Sequence, residues 1–593
     1  MCRVATATDT GSSGKASDGT AARNPGGSQP KPREAIALLG ETVDGYPLPR
    51  LRRRLTPLHF GSDVKWGWLA PLIVTLLAGV LQFWNISTPH KLTFDETYYA
   101  KDAYSLLVEH YAVEFYNDGE TDENEADEII NSGSTKGIFA EGGNPSKVVH
   151  PEVGKWMIAI GEWVFGLTPL GWRSSAAVTG ALMVLVMCRL VRRLTGSTLL
   201  GCVAGALLAL DGLHFVMSRL ALLDIFLAFW LLCAVHCLVA DRDWARAKLA
   251  RQHEVSPVRS LEGAGDFGPV RGLLLRPWRL AAGVCFGLAA GTKWSALFVL
   301  GGFGLLVWAW DSGMRRSLGV RWAPLKSLLV DAIPSFFSIV VVGLVVYVVS
   351  WGSLLAHADL FERQFAAATG GDDNRAWTST DDEPANPLEA VAHDLNVLWN
   401  YHQEVYAFHT GEYLRNVDPH PFQSDPAGWL VLNRPLGISA TSGDSSVVPE
   451  CPEGESCVKQ VLAIGTPLLW WAGVLSLVLG LGYWLTRRDW RFGVPVVGVL
   501  TTWLPWLQYA DRQIFLFYAV AIVPFTVIAV TLVLGKILGR SDSSYPRRVT
   551  GLVVVAVFVA LVAINFAYFY PILTNALLSN EQWHDRMWLR YWI

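Results

Sequence analysis

Two adjacent carboxylates, Asp95 and Glu96 in KLTFDETYYAKD, follow the first long apolar run of this 593-residue chain. Side by side at a membrane edge they repel one another and cost desolvation, so they are either plainly solvated or serve proton chemistry. Other ionisable groups gather where further apolar runs begin or end. His150, Glu152 and Lys155 stand in HPEVGKW, Arg173 in GWRSS, Arg219 and Asp224 in SRLALLD, Lys293 in GTKW, and Asp511 with Arg512 in QYADRQIF. Each has an ordinary explanation alone: a loop pair for Asp95 and Glu96, a turn for His-Pro, an anchor for Arg173, an ion pair for Arg219 and Asp224, snorkelling for Lys293. Five turns that bring charge to one level point instead to a shared cavity.

Clustered cations beside a carboxylate suit a lipid-linked phosphate substrate. Lys155, Arg173, Arg219, Lys293 and Arg512 are the candidates to meet the phosphate, arginine bidentately and lysine as a point charge. Asp95 is the candidate base. A Ser or Thr hydroxyl is too weak an acid to be deprotonated beforehand by a carboxylate of pKa ~4. The proton must therefore move late, as the sugar–phosphate bond opens toward an oxocarbenium-like state. One base and a good leaving group suffice for a single inverting displacement. Glu96 would orient the acceptor or tune the base, with His150, Asp224, His402 and Asp511 in support.

Placing these groups requires a membrane. The chain is 51% hydrophobic and only 17% charged, and several runs approach the ~20 apolar residues that cross a bilayer. Eleven runs are expected to span: 66–86, 172–191, 198–215, 219–240, 279–292, 295–310, 328–350, 464–485, 493–509, 513–535 and 549–570. With that count every basic cluster between spans (50–65, 189–193, 242–251, 315–326, 487–491 and 536–548) stays on one side, the cytoplasmic side by the positive-inside rule. The stretch 153–170 carries Lys155 and Glu162 and would flip that pattern if it crossed, so it reads as an amphipathic helix at the outer interface. The organisation is then a cytoplasmic, Gly/Ser/Pro-rich disordered tail (1–60) with no removable signal peptide, a transmembrane module (61–350) containing the outer loop 87–171, a large outer loop (351–463), and C-terminal transmembrane helices (464–593).

Other features take simpler readings. The acidic run YNDGETDENEADEII is solvated and mobile, and DRD at 241–243 is juxtamembrane, not a metal site. His402 and His409 share a helix face at a spacing too wide for one metal unaided; a divalent-metal need stays open, and no cofactor is required that the sequence shows. Residues 387–409 repeat apolar side chains at helical spacing, as a helix capping the outer domain or roofing the cavity at the membrane surface. Cys451 and Cys457, five residues between them, would close a small disulfide loop if extracytoplasmic; the five cysteines in or beside spans read as small packers. The net charge of −4 gives no reason to invoke nucleic acid.

The DE pair after the first span, HPxxGK closing the first loop, an arginine opening the next span, SRxxLLD, xKW, HPFQSDPAGWLVLNRP and LPWLQYADRQIFLFY together resemble the protein O-mannosyltransferases of the GT-C superfamily, in its actinobacterial branch, over about residues 60–593. The resemblance implies an all-α polytopic GT-C fold and inverting transfer of mannose from polyprenyl-phosphate-mannose to Ser/Thr of secreted proteins, near the secretion translocon. It implies Asp95 as base, Glu96 at the acceptor, Lys155 and Arg173 at the donor phosphate, and Arg512 lining the donor site. The family usually reads His-Pro-Pro where this chain has His-Pro-Glu, and 351–463 is too short for the MIR domain of fungal and animal members. The rival readings are a polyprenyl-phosphate-sugar enzyme acting on a lipid or cell-wall glycan, and a transporter, which would carry internal repeats and mid-bilayer polar groups.

Overall fold

A computed structural model of the chain describes residues 42–43, 46–47, 64–117, 125–255, 267, 273–368, 386–411, 415, 420–539 and 543–593. The chain forms two units, Met1–Arg54 and Leu55–Ile593. In the first, strands β1 (Thr42–Val43) and β2 (Tyr46–Pro47) pair antiparallel. The disordered-tail expectation and the basic cluster 50–54 otherwise lie outside the described residues.

The second unit is a helical bundle. The helices that bear on the site and the membrane are α1 (Trp66–Phe83), α2 (Glu96–Val108), α3 (Glu125–Asn131), α4 (Val153–Phe165), α5 (Pro169–Thr195), α6 (Thr198–Ala209), α7 (Leu223–Val255), α8 (Pro277–Ala290), α9 (Ala296–Ser317), α10 (Ala323–Val349), α11 (Pro387–Thr410), α12 (Pro467–Arg487), α13 (Gly493–Trp503), α14 (Val523–Leu538) and α15 (Tyr545–Leu573). Local sequence sets many boundaries. In α5, Thr168 accepts from the Gly171 N–H, Pro169 opens the first turn, and Gly196 closes the helix in the left-handed region at φ 72°. Arg192 and Arg193 lie in the last turn, where the helix dipole favours cations.

Every predicted span overlaps a helix, but not every one is a single long helix. Seven helices, α1, α5, α7, α9, α10, α12 and α15, are long and apolar enough to cross a membrane. Of the other four runs, 279–292 is a single helix of 14 residues, α8, and three are interrupted. The run 198–215 breaks where buried Asp211 caps a new short helix through the His214 N–H, and 493–509 and 513–535 each pass partly through 3-10 turns. Helix α10 is barely covered, with 17% of its most apolar window buried, whereas α7 reaches 72%. So α7 forms the axis and α10 the rim.

Helix α4 inverts the usual amphipathic arrangement. Gly154, Lys155, Ile158, Ala159 and Glu162 face the protein, while Trp156, Ile160, Trp163, Val164 and Phe165 are exposed. At 13 residues it is about 20 Å long, too short to span. The acidic run departs from the expectation. Its second half is α3, with Ala126 and Ile130 buried and Asp127 paired to Lys101 at 2.8 Å, because a buried lysine on α2 needs a carboxylate; residues 118–124 lie outside the described residues. Strands β3 (Leu436–Gly443), β4 (Cys457–Ala463) and β5 (Leu577–Ser579) form an antiparallel sheet, and Cys451 is disulfide-bonded to Cys457 in the β3–β4 connection.

Candidate active site

Asp95 occupies the N-cap position of α2, yet its side chain makes no capping bond. The preceding residue, Phe94, holds a positive φ of 52°, a conformation costly for an aromatic residue. Its ring is wedged edge-on against Phe515 and Phe517, both at 5.6 Å. That packing turns the Asp95 carboxylate inward, where it bonds with the Tyr99 side chain one turn on and sees Lys293 and Asp224. Burial pushes Asp95 up to about 6; Lys293 opposes the shift and Asp224 adds to it. The side chain is only partly covered, so it faces a pocket and not sealed core.

Glu96 behaves differently. It is fully buried and accepts from the Thr93 N–H and hydroxyl, the Ala221 N–H, and Arg173 through Nε at 2.8 Å and Nη2 at 2.7 Å. Arg173 also donates to the carbonyls of Ile86, Pro89 and Lys91. Neither group has capacity left for substrate. The expectations of an acceptor contact for Glu96 and a phosphate contact for Arg173 are corrected on this ground: together they tie the loop after α1 to α2 and α5. Arg219 is corrected likewise, because its guanidinium caps the end of α1 through the carbonyls of Gln82, Trp84 and Asn85.

The remaining candidates divide between the pocket and its walls. Lys155 is buried against Asp102 at 3.0 Å, so a carboxylate already neutralises it. Lys293 pairs with Asp224 at 2.7 Å and lies 4.9 Å from the centre of the Tyr518 ring. Arg512 donates to the His409 carbonyl at 2.8 Å and lies over the rings of Tyr509 and Trp506. Among the described residues, Asp95 and Arg512 are the pocket's Asp, Glu, Lys and Arg side chains without a salt-bridge partner. Asp511 turns outward to Arg415 at 2.9 Å, so its supporting role is not met.

The histidines line the same pocket. His150 stacks on His409 at 5.3 Å, and burial first, then Lys293, holds it well below the ordinary histidine value. His409 is likewise lowered to about 4, chiefly by burial. Both are neutral at pH 7. His402 contacts the Tyr347 hydroxyl and the Leu398 carbonyl. Helix α11 thus roofs the pocket through His402 and His409, while Leu388, Val391, Leu395, Trp399 and Tyr406 are exposed. Glu152, the departure from His-Pro-Pro, turns away from the pocket to the Ser353 hydroxyl. Among the described residues no group of three His, Cys, Asp or Glu side chains is placed to hold a metal ion.

Two features escaped the sequence reading. Tyr99 and Asp102 fall four and seven residues after Asp95, on one face of α2, a spacing that was available. The HPFQSDPAGW segment acts through backbone contacts: Gln423 donates to the Arg512 carbonyl and the Ser424 N–H to the Ile514 carbonyl, fixing the irregular segment that carries Arg512. Beside Asp224 and Tyr518 lies a narrow apolar cleft of about 10 Å³ lined by Leu227, Leu231, Phe298 and Val299, between α7, α9 and α13. It shares Phe298, Thr501 and Pro505 with a wider cavity of about 390 Å³ lined by Leu500 and Leu504.

A helical membrane bundle whose apolar cleft reaches Asp224 and Tyr518, with Asp95 and Arg512 in electrostatic reach of that tyrosine, is consistent with the fold class of the membrane glycosyltransferases called GT-C. The fold matches the Saccharomyces cerevisiae protein O-mannosyltransferase Pmt1–Pmt2 complex bound to the sugar donor, with a TM-score of 0.61 over 92% of this chain and 94% of that one, at 14% identity. Residues 148–253 match the family described as dolichyl-phosphate-mannose-protein mannosyltransferase, and 395–592 the C-terminal four-transmembrane region of protein-O-mannosyltransferase. The polyprenol-phosphate-mannose–protein mannosyltransferase of Mycolicibacterium smegmatis is 36% identical over 91% of this chain and 95% of its own length. That of Mycobacterium tuberculosis is 34% identical over 89% and 92%, and that of Corynebacterium glutamicum 34% over 75% and 81%. The chain belongs to the protein O-mannosyltransferase family.

Proposed function

We propose that the protein transfers mannose from polyprenyl-phosphate-mannose to Ser/Thr hydroxyls of secreted proteins, with inversion, at the outer face of the cell membrane. The observation that carries this reading is the site's charge: Asp95 and Arg512, neither in a salt bridge, both lie within electrostatic reach of Tyr518, which lines the apolar cleft. The isoprenoid lies along Phe298, Leu500 and Leu504, and its phosphate meets Arg512 and the spare donors of Lys293. The acceptor oxygen attacks C1 of mannose as the C1–O bond to phosphate breaks. The bond's electron pair leaves on the phosphate oxygen, and the hydroxyl proton passes to Asp95. A base raised to about 6 takes that proton better than an ordinary carboxylate and is still ionised at pH 7. The cations stabilise the phosphate charge as it develops.

The chain's parts follow the same reading: a cytoplasmic N-terminal segment (1–60), a catalytic transmembrane module (61–350), an outer loop (351–463) that roofs the site through α11, and C-terminal helices (464–593), with eleven crossings and acceptors arriving from the secretion translocon. The protein-acceptor reading is preferred to a lipid or glycan acceptor because the curated relatives are named for protein mannosylation.

The test is an in vitro assay with mannosyl-phosphoprenol and a Thr/Pro-rich peptide. The expected product is a mannosylated peptide with inverted anomeric configuration; mannose found only on lipid would overturn the acceptor class. Sidedness is tested separately, with cysteines at Tyr98 and Asp511. An impermeant thiol reagent should reach both from outside, and labelling of one alone would break the shared pocket.

A further inference from the structure

Tyr518 stands at the junction of the two halves of this site. Its ring is packed against Trp506 at 4.8 Å and edge-on against Phe517 at 4.6 Å, and it forms part of the wall of the apolar cleft with Leu231 and Phe298. Its hydroxyl lies within electrostatic reach of Asp95, Asp224 and Arg512 at once. Yet among the described residues no side chain or backbone group hydrogen-bonds to that hydroxyl, and the residue is only partly covered. Three other phenols around the pocket have partners: Tyr99 faces Asp95, Tyr347 bonds with Trp294 and His402, and Tyr401 with the backbone of Val148. A phenol held rigidly in a half-closed polar pocket without an acceptor is an open donor.

We propose that the Tyr518 hydroxyl is a ligand of the donor's phosphate, donating a hydrogen bond to a phosphate oxygen where the lipid leaves the cleft and the sugar enters the pocket. This rests on the donor reading above. A neutral donor is suited to that position. It binds the phosphodiester of the donor and the monoester left after transfer without adding a charge that would pair with Asp95 or Asp224 and compete with Lys293. The aromatic packing fixes the ring, so the bond costs little rotamer entropy. Because the phosphate gains charge as the C1–O bond breaks, the bond strengthens toward the transition state.

Tyr518→Phe keeps the ring and removes only the donor. It is compared with wild type in the full-length, membrane-reconstituted protein, reading kcat and KM for mannosyl-phosphoprenol, KM for the peptide, affinity for polyprenyl phosphate, and the thermal midpoint. A hydrogen bond to a charged group predicts about a 10- to 100-fold loss in kcat/KM for the donor, a weaker hold on polyprenyl phosphate, and an unchanged thermal midpoint and peptide KM. Unchanged donor kinetics and product affinity in the variant would overturn the proposal. So would a change confined to the peptide KM, or an activity loss explained by a lower thermal midpoint, which would make Tyr518 a packing residue. Absence of transfer by the wild-type protein itself would instead sink the donor reading.

Discussion

Helix α7 carries one buried aspartate in its first turn, Asp224, and another, Asp241, past its middle, and the two levels differ in how their charge is balanced. Asp241 lies 17 residues beyond Asp224, about 25 Å along the axis. There Arg276 and Arg279, from the start of α8, each bond both Asp241 and Asp311 at 2.7–3.1 Å, with Arg315 and Asp331 paired alongside. Two arginines and two aspartates close a box with no excess charge, and it fastens α7, α8 and α9. At the Asp224 end the pairs Lys155–Asp102 and Arg173–Glu96 are also closed, but Lys293 spends one donor on Asp224 and keeps the others, and Asp95 and Arg512 remain over. Buried charge alone therefore does not mark a site. Charge that the protein leaves unbalanced, in a pocket that opens on a cleft, does.

The comparison breaks most visibly if the closed pairs turn out to be catalytic. Arg279→Met at one end and Arg173→Met at the other each strand a buried carboxylate, and each should cost about 3–5 kcal/mol. Thermal unfolding in detergent would read that loss, with activity falling only in step with folded protein. Activity lost by Arg173→Met at full stability would return Arg173 to the reaction.

Asp95→Asn should do the opposite. It keeps the fold and lowers kcat by ~10²–10⁴-fold, the usual range for a positioned base, measured as initial mannosyl transfer. Its stability has a definite sign. The folded value is raised from 3.8 to about 6, so Asp95 favours the folded state below pH 3.8, and that contribution is lost as pH rises through 6. At pH 7 the Asn variant is expected to be at least as stable as wild type.

The same group sets a pH dependence of smaller size. Transfer requires ionised Asp95, so kcat/KM should decline tenfold per pH unit below about 6, and Asp95→Asn should lack that limb. A wild-type profile flat from pH 7 to 5 would contradict the base assignment. The smallest effect belongs to Asp511, whose pair with Arg415 is exposed. Asp511→Asn should shift stability by less than about 1 kcal/mol and leave transfer unchanged, in contrast with its neighbour Arg512.

Much of this was legible in the chain. Apolar run lengths gave the helical bundle, and Asp95, Lys293, Asp224 and Arg512 were singled out because ionisable groups beside apolar runs need a reason to be there. The reading failed where a partner lay far off in sequence. Arg173 and Arg219 looked like phosphate ligands, yet their partners are Glu96, 77 residues away, and backbone carbonyls 82–137 residues away. DRD at 241–243 gave no sign that Asp241 is buried, because the arginines that pair with it stand 35 and 38 residues later.

What the sequence determined by itself is the inventory: the apolar runs, the carboxylates and cations at their ends, and the motif set shared with the family. Run length and residue type act locally, so they can be read locally. Tertiary structure decided which of those charges cancel. An arginine is a ligand or a strut according to how many acceptors surround it, and only the packing of α1, α2, α5 and α7 brings Arg173 its acceptors while leaving Arg512 short of a carboxylate.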